Sequence, residues 1–133
     1  MKSLLASTRE DDMLTSYTEE FSDVIVLHMT GIMTLNFLKD IEERWDEQLR
    51  KRPGVLALNL KGVVTIDSIT INHLFNLNKR ASAMNVKLII CDTSEELKRI
   101  FELIKMERVV TMMDYNKFHQ EYIATDLSLQ NEN

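Results

Sequence analysis

The chain has 133 residues, with 16 Lys or Arg against 21 Asp or Glu, a net charge of −5. That length suits one domain with an adequate apolar core. A lone cysteine, Cys91, allows neither an internal disulfide nor a thiolate metal cage. The acidic balance argues against a direct nucleic-acid face, which needs clustered Lys and Arg. Apolar runs such as 24–27 are too short to span a bilayer. Residues 1–12 lack the apolar stretch of a signal peptide, so a soluble cytoplasmic protein is expected.

With three glycines and one proline, the chain has no flexible linker or low-complexity tract. Its ends, 1–12 and 125–133, are polar and are expected to be poorly ordered around a single domain at 13–124. Residues 13–18 and 23–30 read as two strands of an N-terminal hairpin, the second rich in Val and Ile, with Gly31 breaking the run. From Thr34, the apolar residues Phe37, Leu38, Ile41, Trp45 and Leu49 line one stripe of a helix that Pro53-Gly54 stops.

Residues 55–60 form a nearly unbroken apolar run, as in a central parallel strand covered on both faces. A short loop then leads to Asp67-Ser68 and a helix carrying Ile71, Leu74, Phe75, Asn78 and Ala81 on one side. A buried strand is expected at 86–91. Thr93 and Glu96 form a candidate capping box, opening a helix with Leu97, Ile100, Phe101 and Ile104 inward. Residues 109–112 suggest an edge strand, and Asp114 can cap a last helix bearing Phe118, Tyr122 and Ile123. The order ββαβαβα(β)α defines an α/β fold: a mixed, mostly parallel sheet of four or five strands with about four helices.

Enzyme signatures are missing from the sequence: there is no GxGxxG, GxxxxGK[ST], HExxH or GxSxG. His28, His73 and His119 lack metal-ligand spacing and read as structural or surface residues, and no metal or cofactor is called for. Cys91 ends a buried strand and reads as a small hydrophobe; the eight methionines read as core filler. One stretch stands apart, GVVTIDSITI at 62–71, where an acid and hydroxyls meet a helix start. Asp67 or Ser68 there can simply cap the helix. A helix N-terminus also suits an anion, including a phosphorylated hydroxyl on its first turn.

This stretch resembles the STAS domain, the fold of bacterial anti-sigma factor antagonists. The family pattern l-s-g-v-x-x-i-D-S-[ST]-G-l is similar to LNLKGVVTIDSITINHLF at 58–75, and s-p-e-x-x-x-x-l-e-x-x-g-l to part of LIICDTSEELKRIFELIKMERV at 88–109. FSDVIVLHMTGIMT at 21–34 resembles the family's second strand and turn, so the likeness covers about 13–124. It implies a non-catalytic regulator that docks on an anti-sigma factor of serine-kinase fold and frees a sigma factor for transcription. Partner switching in that family works by phosphorylation of the Ser or Thr after Asp-Ser.

Asp67 and Ser68 match the pattern, but the acceptor position is Ile69 and the following glycine is Thr70. Three readings stay open: constitutive docking without phosphorylation, phosphorylation of Ser68 or Thr70 at a shifted register, or departure from sigma control. The implied docking surface comprises Gly31, Met33, Asp67, Ser68, Ile69, Thr70, Asn72 and Asp92. Ile69 is either an exposed anchor or part of the core. Alternative functions are a soluble STAS subunit of an ABC-type lipid-transport ATPase and a small-ligand sensor. An enzyme ranks last, and a homodimer stays open.

Overall fold

A computed structural model describes residues 13–124, so both terminal segments expected to be poorly ordered lie outside the described residues. The described chain runs β1 (Leu14–Phe21), β2 (Val24–Met33), α1 (Leu38–Leu49, entered by a 3-10 turn, Leu35–Phe37) and β3 (Val55–Ile66). It continues with α2 (Ser68–Ala83), β4 (Lys87–Thr93), α3 (Glu95–Leu103), β5 (Thr111–Met112) and α4 (Tyr115–Phe118), which continues as a π turn, His119–Ala124. The five strands form one sheet in chain order, antiparallel between β1 and β2 and parallel thereafter. This is the mixed α/β architecture expected.

Strands added in one direction with right-handed crossovers must place their helices on one face. Accordingly, Ile41 and Trp45 of α1, Leu74 and Leu77 of α2, and Leu97 and Phe101 of α3 pack in one core with Leu27, Leu58 and Ile90 of the sheet. The alternate strand positions, including Val26, Ala57, Ile89 and Cys91, meet Phe118 and Ile123 from the C-terminal segment. Burial on both faces is why β2 to β4 read as continuous apolar runs. Truncating one of these sealed residues, such as Leu58, to alanine would cost about 2–5 kcal/mol.

The elements differ from expectation where polar residues continue a strand. β1 runs on to Phe21 and the hairpin turns at Ser22-Asp23, with Ser22 at φ 54°. Glu19 and Glu20 stay in the ladder because each has a partner: Glu19 pairs with His28 Nε2 at 2.7 Å and Glu20 with Lys51 at 2.8 Å. Gly31 kinks β2 rather than ending it. Its φ is +116°, and a Cβ there would lie 2.0 Å from the Met13 carbonyl oxygen.

The largest correction concerns 61–66, expected as a loop. β3 continues through them, pairing Gly62, Val63, Thr65 and Ile66 with the far end of β2. Their β-branched residues favour the extended chain. Downstream, Ser94 rather than Thr93 caps α3, accepting the Leu97 amide at 3.2 Å, because Thr93 remains in the ladder opposite Leu60. Leu77 of α2 is buried where Asn78 was expected to face inward, and Ile104 falls beyond the end of α3, half-exposed. Asp114 caps α4 as read, accepting the Lys117 amide at 2.8 Å.

Candidate functional site

The extension of β3 delivers Asp67 beside the start of α1. Asp67 is the N-cap of α2, with extended backbone (φ −108°, ψ 171°). One carboxylate oxygen accepts the Thr70 amide at 2.9 Å, the usual cap bond to the third helical residue. Its other oxygen accepts the Leu35 amide at 2.9 Å, from the turn that opens α1. The Asp67 amide in turn reaches the Met33 carbonyl at 3.4 Å. The Asp67 side chain thereby joins two helix starts, and its backbone amide ties them to the end of β2. Burial works to raise the Asp67 pKa, but the hydrogen bonds from Thr70 and Leu35 outweigh it and hold the carboxyl below its ordinary value of 3.8.

The sequence-predicted residues separate into three groups. Ser68, Ile69 and Asn72 face outward on the first turns of α2, Ile69 being 40% exposed, so it is not sealed in the core. Met33 and Thr70 are fully buried: Met33 belongs to the main core, and the Thr70 hydroxyl is sealed from solvent. Neither side chain is open to a partner, nor is the Thr70 hydroxyl open to a phosphoryl donor. Gly31 acts through its backbone, holding β2 against β1.

Asp92 lies apart. Thr93 pairs with Leu60, whereas Met33 pairs with Ile66. At about 3.3 Å per strand residue, the end of β4 stops roughly 20 Å short of the Asp67 loop. Two exposed apolar residues were not singled out from sequence. Leu35, whose amide Asp67 holds, and Val64, three residues before Asp67 on β3, are 55% and 65% exposed. Val64 was legible only once 61–66 was known to be a strand, in which the flanking Val63 is buried and Val64 points away. Leu35 sits one step out of phase with the stripe of α1. The capped carboxylate therefore stands between two exposed apolar residues, Leu35 and Ile69, at the two helix starts.

Elsewhere the titratable groups do structural work. His28 stacks on Tyr17 with ring centroids 4.4 Å apart, and Tyr115 donates its hydroxyl to Glu19 at 3.4 Å. His73 pairs with Glu42, and His119 lies against Tyr115. Burial, with the nearby Asp92 charge, pushes the Cys91 thiol up to about 12, so it is no thiolate nucleophile. Among the described residues no three His, Cys, Asp or Glu side chains converge to hold a metal ion, and no helix is long and apolar enough to cross a membrane.

Residues 17–120 match the STAS domain family, and the chain belongs to that family. No curated protein sequence matches it significantly. Among solved structures, an anti-sigma factor antagonist from Mycobacterium paratuberculosis shares the fold with a TM-score of 0.66 at 13% identity, covering 89% of this chain and 94% of that one. The crystal structure of a Thermotoga maritima protein, a candidate anti-sigma factor antagonist, aligns with a TM-score of 0.72 at 21% identity, covering 82% and 94%. At these identities the likeness is one of fold.

Proposed function

We propose that this chain is an anti-sigma factor antagonist, a non-catalytic regulator that docks on a serine-kinase-fold anti-sigma factor through the Asp67 loop and so releases a sigma factor. The observation that carries this reading is the half-exposed Ile69 directly after the capped Asp67-Ser68, at the position where the family pattern has its phosphoacceptor. An apolar side chain there, with the exposed Leu35 held to the same Asp67, gives a partner a surface to desolvate. It also removes the hydroxyl whose phosphorylation would add charge at the interface. The reading is therefore a constitutive antagonist. Ser68, exposed one residue earlier, is the remaining accessible hydroxyl of the 67–70 loop.

The test is an affinity pull-down from native extract with ATP, comparing wild-type and Ile69→Glu baits by mass spectrometry. A kinase-fold anti-sigma factor retained by the wild type, lost with Ile69→Glu, and an unphosphorylated bait are expected. Phosphate on Ser68 would replace constitutive docking with a switch at a shifted register. Retention of an ABC-type ATPase instead would overturn the sigma-control reading.

A further inference from the structure

β2 and β3 outrun their neighbours at one end of the sheet. β1 begins at Leu14, opposite Gly31 of β2. The β3–β4 pairing ends where Leu60 meets Thr93, yet β3 runs on to Ile66. Residues 61–66 therefore pair with β2 on one side and with no strand of the described residues on the other. Such an edge offers backbone N–H and C=O groups to another chain.

Exposed apolar side chains gather at the same end. Eight large ones are exposed among the described residues, and four of them, Met13, Leu35, Val64 and Ile69, lie there. Met13 lies beside Gly31. Val64 falls between Val63 and Thr65, the partners of Gly31 and Ile32. Leu35 and Ile69 stand just beyond, at the two helix starts. They divide by side. Leu35 and Ile69 belong to the side carrying α1 and α2, where Val63 and Ile66 are buried in the main core. Val64 points away from that core, and the opposed pair Thr30 and Gly62 is exposed as well. The second face, closed elsewhere by Phe118 and Ile123, is therefore open at this end.

Size decides whether one partner covers both sides. A standard interface buries about 800 Å² on each partner, a disc roughly 16 Å in radius. Val64 is three strand residues from Asp67, about 10 Å, and falls inside that disc. The exposed group of Leu103, Ile104 and Val109 falls at its edge. There Asn78 donates to the Val109 carbonyl, and Asn78 lies about 16 Å along α2 from Asp67 at 1.5 Å per residue.

We propose that the docking surface folds over the end of the sheet. The anti-sigma factor that meets Leu35 and Ile69 on the helix side also grips Val64 and the free β3 edge on the other. Its own binding site is then a cleft that takes the sheet end, with Val64 as the second apolar anchor. This deepens the docking role given to the Asp67 loop and rests on it.

The anti-sigma factor retained by the wild-type chain, once purified, is titrated by calorimetry against full-length variants. Val64→Asp should weaken binding at least about tenfold, as loss of an interface anchor does. Leu103→Asp should change it less than about twofold. Circular dichroism and urea midpoints check that both variants are folded. On the wild type, bound partner should slow amide exchange across 61–66 as well as at Ile69. Full binding by Val64→Asp while Ile69→Glu loses it, or protection that stops at the helix starts, would confine the partner to the helix side and overturn the proposal. Full binding by Ile69→Glu, or no kinase-fold partner for the wild type, would overturn the docking reading and the proposal with it.

Discussion

Asp67 and Leu35 are joined by a 2.9 Å hydrogen bond from the Leu35 amide to the Asp67 carboxylate, which fixes the start of α1 against the start of α2. The same carboxylate caps α2 through Thr70. Residues from two crossovers are thus held as one surface, and the exposed Leu35 and Ile69 on either side owe their relative position to one acid.

Removing that acid should loosen both helix starts. Asp67→Ala is expected to lower stability by about 1–2 kcal/mol, the range for losing an N-cap, read as a lower urea midpoint with unchanged slope. The acid sensitivity has a definite sign. The folded carboxyl titrates below 3.8, so its contribution is complete above that pH and is lost as the pH falls through the folded value. The wild type should lose stability over that window by more than Asp67→Ala does. Parallel acid-unfolding curves would show that the carboxylate contributes nothing.

Gly31→Ala tests the kink in β2. The backbone there has φ +116°, and a methyl group would collide with the Met13 carbonyl. A loss of about 1–3 kcal/mol, typical of such backbone strain, is expected in thermal or urea unfolding, together with weaker hydrogen-exchange protection of β1. A neutral substitution would mean that β1 can shift freely along β2.

Cys91 should be inert in the native protein. Its thiol is fully buried and titrates near 12, so a thiol reagent at pH 8 meets almost no thiolate. Labelling should proceed only at the rate of opening and become fast in urea. Rapid native labelling would contradict the packing of Cys91 under Phe118.

Much of the fold was legible because its signals are local. The stripe of Ile41, Trp45 and Leu49 and the Pro53 stop define α1 without reference to any neighbour, and the runs at 55–60 and 86–91 are apolar because both faces of those strands are covered. The candidate site was legible only in part. Asp67 and Ser68 were found as the cap and first turn of a helix, but Met33 and Thr70 are buried, Asp92 lies where β4 ends well short of the extended β3, and the exposed Leu35 joins the loop through Asp67.

From sequence alone came the order of the elements, the central apolar strands, the capped helix at Asp67 and the isoleucine after Ser68. These rest on periodicity, residue type and spacing, which a chain carries within itself. Tertiary structure alone decided that 61–66 is a strand and that Thr70 is sealed while Ser68 is open. Exposure and pairing belong to two surfaces at once. The second surface for Thr70 is set by how sheet and helices pack, and that is not written in the residues beside it.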